Sequence, residues 1–104
     1  MTREKRLKSV RNWIATAEYD LTTTEHMLNT GRYLYVVFMC QLAIEKMLKA
    51  HVELHENKFP PRIHDLKKLV KRARLDVPSN LMSTISELND SSVPTRIPRI
   101  FKEV

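Results

Sequence analysis

The feature that most limits what this chain can become is its punctuation. Gly31 is the one glycine, and no proline precedes Pro60. Glycine and proline are the strongest local breakers of regular structure. Their absence leaves two long uninterrupted stretches, one on each side of Gly31. Leu, Lys, Glu, Ala and Met are abundant in both and favour helix. The prolines at 60, 61, 78, 94 and 98 confine loops to the second half. A chain of 104 residues has the length of one domain with one modest core. The expected fold is therefore an all-α, antiparallel helical bundle within a single domain over 1–104, with two long helices, two short ones and a C-terminal tail.

Leu7, Val10, Ile14, Ala17, Leu21, Thr24 and Leu28 recur at alternating three- and four-residue steps, with Trp13 beside them. That spacing predicts a first helix over about 4–29. Gly31 follows as a left-handed C′ residue. A second helix starts near Arg32 and runs to about Glu56, and so short a connection makes the pair antiparallel. The stretch Tyr33 to Ile44 is apolar on nearly all sides, which predicts burial all round and a central position. Leu66, Leu69, Val70 and Ala73 mark a third helix over about 63–74. Leu81, Met82, Ile85 and Leu88 mark a fourth, with Ser79 as its N-cap and Asn89 to Ser92 as its end.

Inside this apolar second helix stand Gln41 and Glu45, four residues apart and so on one face, with Lys46 and Lys49 beside them. Buried polar groups are costly unless they are satisfied. The two lysines are placed to pair with Glu45 or with Asp20 of the first helix. One reading is an internal polar cluster that fixes helix register. The other makes Asp20, Gln41, Glu45, Lys46 and Lys49, together with His64 and Asp65, a ligand surface between the helices. For His64 and Asp65 the simpler account is capping of the third helix.

The net charge of +6 is uneven: residues 1–11 carry +4 and residues 58–74 carry +6, against −3 over 12–56 and −1 over 75–104. Lys67, Lys68, Lys71, Arg72 and Arg74 are candidate phosphate-binding residues, with Arg62, Arg96 and Arg99 joining them if the tail folds back. The alternative is an ordinary solvated face. Cys40 is the one cysteine, which excludes an internal disulfide and is expected to be a buried, inert thiol in a reducing cytoplasm. The basic start MTREKRLK has no apolar segment behind it, so no signal peptide is expected. The run Tyr33 to Cys40 is too short to span a bilayer. His51 and His55 share a helical face, but Val52 stands where a zincin would place its glutamate, and a solvated helix end explains them better than a metal site. No metal and no cofactor is expected, and no glycine-rich phosphate loop is present.

The segment "WIATAEYDLTTTEHMLNTGRYLYVVFMCQLAIEKMLKAHV" followed by "FPPRIHDLKKLV" resembles a HEPN domain, the higher eukaryote and prokaryote nucleotide-binding family. The matching elements are a Trp and "AxxDL" on the first helix, Gly-x-Tyr at the turn, "FxxQxAxEKxLKA" on the second helix and "HDLxxL" opening the third. The late "PTRIPRI" is similar to the family's Thr-Arg-Tyr-Pro loop, with Ile97 where tyrosine usually stands. The resemblance spans about residues 10–100. It implies a bundle of antiparallel helix pairs, usually dimeric. The family includes metal-independent ribonucleases, often toxins paired with a small nucleotidyltransferase, and non-nuclease members that bind nucleotides or proteins.

The family's nucleases resemble one another in an Arg followed, after four to six residues, by a His near the start of the last long helix. Here the histidines are 26, 51, 55 and 64; none follows an arginine at that spacing, and none follows Arg96. Without that imidazole a metal-independent nuclease lacks its proton-transfer group. The resemblance also implies a further helix after "TRIPRI", which the sequence does not contain before Val104. The apolar surface that helix would cover is expected to meet a second copy or another protein. The favoured expectation is a cytoplasmic, non-catalytic binding and interaction module. It would act as a homodimer or beside a nucleotidyltransferase, with nucleotide or RNA as ligand. The alternatives are a ribonuclease toxin whose catalytic helix is missing or degenerate, and a dimerisation domain without ligand.

Overall fold

α1 (Arg3–Asn29) starts where the Thr2 hydroxyl accepts a hydrogen bond from the Lys5 amide, which supplies one of the orphan donors of the first turn. It ends in a Schellman turn. The Arg32 amide reaches the Met27 carbonyl at 2.8 Å, and the Gly31 amide reaches Leu28 at 3.2 Å. Gly31 holds φ +76°, and an added Cβ would meet nothing within 4 Å. Backbone conformation, not space, is what requires glycine there. The chain reverses at once into α2 (Tyr33–Glu56), antiparallel to α1. α3 (Leu66–Arg72) and α4 (Ser79–Ser91) complete the bundle, and no strand occurs among the described residues. The computed structural model describes residues 2–91. Arg96, Arg99, the "PTRIPRI" loop and the tail to Val104 lie outside them.

The long hairpin sets the 46 Å axis of the molecule. The apolar core sits toward one end of it. Leu48 and Val52 of α2 pack with Leu66, Leu69, Val70 and Ala73, and Ile44, Ile63, Leu75, Val77, Met82, Ile85 and Leu88 close over them. Leu66 and Leu69 are fully buried, so Leu→Ala at either would cost about 2.7–5 kcal/mol.

This placement corrects one expectation. The first half of α2 is not buried all round: Tyr33, Tyr35 and Val37 are 65, 46 and 40% exposed. Cys40 is half-buried rather than enclosed. On α1, Val10, Ala17 and Thr24 are buried, but Leu21 and Leu28 are exposed. The physical reason is length. α3 and α4 are short and dock on the C-terminal half of α2, so among the described residues each long helix has only the other for cover near Gly31.

The boundaries of the short helices also differ from expectation. α3 starts at Leu66, not near 63, because Asp65 adopts an extended backbone and its carboxylate accepts from the Lys67 and Lys68 amides at 3.0 and 3.3 Å. His64 does not cap; its ring turns to Glu45. In α4, Ser79 is the first helical residue and Pro78 supplies the carbonyl that the Met82 amide reaches. Asn89 of α4 then fastens α3. Its Oδ1 accepts from the Leu66 amide at 2.9 Å, and its Nδ2 donates to Asp65 at 3.3 Å.

Candidate functional site

Gln41, Glu45, Lys49 and Glu53 succeed one another at four-residue steps along α2, and all four are buried. A four-residue step overshoots one helical turn by about 40°, so the row winds slowly around the helix. Glu45 is its centre. Gln41 Nε2 donates to Oε1 at 3.2 Å, Lys49 Nζ donates to Oε2 at 3.2 Å, and His64 Nδ1 lies 3.0 and 3.1 Å from the two oxygens. An ionised carboxylate only accepts, so His64 meets it with Nδ1–H. In the neutral ring Nε2 is then the acceptor, on a side chain 78% exposed. Lys49 also lies over the Trp13 ring, 5.6 Å from its centroid, a second stabilising contact for an ammonium that is 8% exposed.

Asp20 is placed apart from Glu45, against Lys46, with Nζ 2.7 Å from Oδ2. That contact is a close ion pair rather than a well-aligned hydrogen bond. Asp20 is buried in α1, and its carbonyl accepts from the Thr24 hydroxyl at 2.8 Å. Thus the two lysines divide the two carboxylates between them: Lys46 to Asp20, Lys49 to Glu45. Asp65 is occupied by the α3 cap and by Asn89.

Glu53 was not among the sequence candidates. It is 0% exposed, and the Ser9 hydroxyl donates to its Oε1 at 2.7 Å. Its Oε2 is buried without a hydrogen-bond partner among the described residues, as is Arg6 Nε. The signal was present in the four-residue row itself, which continues from Lys49 to Glu53.

The cations of α3 form a separate, exposed group. Lys67, Lys68 and Lys71 are exposed. Arg72 is exposed too but engaged: Nε donates to Glu56 Oε2 at 3.0 Å and Nη2 donates to Oε1. Those hydrogen bonds from Arg72 hold the Glu56 carboxyl below its ordinary value of about 4.5 and push the guanidinium up. Lys67, Lys68 and Lys71 are thus the cations of α3 available to an outside anion. His51 and His55 are exposed near the end of α2, and among the described residues no group of three His, Cys, Asp or Glu is placed to hold a metal. No helix among the described residues is long and apolar enough to cross a membrane.

A sequence model of the HEPN domain matches residues 10–103. With nearly the whole chain matched, the protein belongs to the HEPN domain family. No curated protein and no solved structure matches the chain.

Proposed function

We propose that the chain is a HEPN-type binding and interaction module without intrinsic nuclease activity. It self-associates through the first half of α2 and takes phosphates of RNA or a nucleotide on α3. The observation that carries this reading is the exposed apolar surface near the hairpin turn, where Tyr33 and Val37, one helical turn apart on α2, are 65 and 40% exposed and Leu28 of α1 is exposed as well. Apolar surface gathered in this way marks an interaction site. A second copy is the occupant we assign to it, because helix pairs of this family commonly dimerise. The exposed Lys67, Lys68 and Lys71 support the phosphate reading. A nucleotidyltransferase partner and a toxin–antitoxin role are part of this proposal by analogy with the HEPN family alone, with no contact on the molecule behind them. The spacing of the four histidines, none of which follows an arginine after four to six residues, supports a non-catalytic role.

The test has two arms. Light scattering should give a dimer that Val37→Glu converts to monomer; a monomeric wild-type protein would refute self-association. Labelled RNA incubated without metal should be retarded but intact. Cleavage would overturn the non-catalytic reading, and neither cleavage nor a shift would remove the phosphate ligand.

A further inference from the structure

The end of α3 contains a backbone conformation that its residue does not favour. Arg74 has φ +56°, the left-handed region that L side chains avoid and glycine enters freely. It occupies the C′ position of a Schellman turn. Its own amide reaches the Lys71 carbonyl at 3.2 Å, and the Leu75 amide reaches Val70 at 3.4 Å. The equivalent position after α1 is Gly31, at φ +76°. After α2 it is Asn57, at φ +53°, and asparagine tolerates this region better than longer side chains do. Arg74 is thus the one of three such helix ends whose residue type is not suited to the turn.

Nothing in the turn needs a guanidinium. Lys71 and Arg72 already place positive charge in the last turn of α3, where the helix carbonyls favour it. Among the described residues no carboxylate pairs with Arg74, and its side chain is exposed. The contrast with Arg72, tied to Glu56 by two hydrogen bonds, is informative: the paired arginine sits in relaxed helix, and the strained one faces outward. Lys67 and Lys71 are a turn apart on one helical face, and Arg74 follows one further step beyond the helix end.

We propose that Arg74 is a phosphate-binding residue that extends the line of Lys67 and Lys71 past the end of α3, and that the chain retains it at a glycine position for that contact. The ligand it fits is an extended RNA strand, because cations in a row match successive phosphates better than the single cluster of a mononucleotide. The inference rests on the phosphate-binding reading of α3 given above.

Arg74→Gly separates the two roles, because relief of the backbone and loss of the charge act in opposite directions. The full chain would be titrated into a short labelled oligouridylate, without metal, over a series of salt concentrations. For Arg74→Gly the thermal midpoint should rise by about 3–5 °C. The affinity at low salt should fall roughly five- to tenfold, with the salt slope shallower by about one. Arg74→Lys should bind close to wild type, and so should Arg72→Ala, whose charge is already engaged. Arg74→Gly with undiminished affinity would overturn the proposal, as would displacement of the RNA by an equal concentration of nucleoside triphosphate. A Lys67→Glu, Lys68→Glu, Lys71→Glu variant identifies which idea has failed. If it loses RNA and Arg74→Gly does not, only Arg74 is misassigned. If neither loses RNA, the phosphate reading falls with it.

Discussion

Replacing Glu45 with leucine tests whether the buried row holds α2 in place or serves a ligand. The substitution removes the acceptor shared by Gln41, Lys49 and His64. His64 is largely exposed and would return to water at little cost. Lys49 would not, because its side chain is 8% exposed. Breaking one side of a buried ion pair costs about 3–5 kcal/mol. The Trp13 face, 5.6 Å from Nζ, would offset roughly 1 kcal/mol of that. The stranded Gln41 amide would restore about 1 kcal/mol to the loss. The expected destabilisation is about 3–5 kcal/mol, a large share of the roughly 5–15 kcal/mol available to a domain of this kind. Urea denaturation followed by far-ultraviolet circular dichroism would measure it, with the helical signal before the transition unchanged. The companion Glu45→Leu/Lys49→Met removes both charges and should lie within about 1 kcal/mol of wild type. If Glu45→Leu loses less than about 1 kcal/mol, or the double variant is no more stable than the single, the buried pair does not have the role assigned to it. Weakened RNA binding by the stable double variant would move Glu45 from scaffold to ligand surface.

Three further outcomes are expected. Ser9→Ala/Glu53→Met removes a fully buried carboxylate that has one donor and should raise the urea midpoint, the gain being about 1–4 kcal/mol; a lower midpoint would show that Glu53 is better satisfied than its contacts indicate. Asn89→Ala strands the Leu66 amide and loosens the Asp65 cap, at about 1–2 kcal/mol by denaturation. Glu56, held below its ordinary value by Arg72, adds stability that is present above the unfolded-state value near 4.5 and disappears as pH falls through the lower folded value. Glu56→Gln should therefore make the acid limb of a pH–stability profile shallower, and an unaltered limb would mean that the pair is no tighter folded than unfolded.

The long helices were legible because their signals are local. Gly31 announces the reversal, and the alternating three- and four-residue steps from Leu7 to Thr24 mark the face of α1 that meets α2. Burial was less legible. An all-apolar run such as Tyr33 to Cys40 states that a helix end needs cover but not whether this chain provides it. The answer depends on the lengths of α3 and α4 and on where along α2 they dock. Asp65 could be recognised as a capping residue from its type, but that it rather than His64 begins α3 depends on where Glu45 lies in space. Asn89 was invisible for the same reason: its partners are 23 and 24 positions away. Among the charges, spacing showed where cations gather, whereas the neutralisation of Arg72 by Glu56 and the left-handed backbone of Arg74 needed coordinates.

The one-sided core has a consequence for how the molecule opens. Around Leu66 and Leu69, freeing any amide of α2 means dismantling the packing of three helices. Near Gly31, among the described residues, only the two arms of the hairpin face each other. Amide hydrogens should therefore exchange along a gradient, fastest from Leu28 through Val37 and slowest from Leu48 through Val52, with local openings near the turn that leave α3 and α4 in place. Association of two copies across the Tyr33–Val37 face would flatten that gradient. Slowed exchange at the turn with increasing protein concentration would then report assembly from inside the helix that performs it.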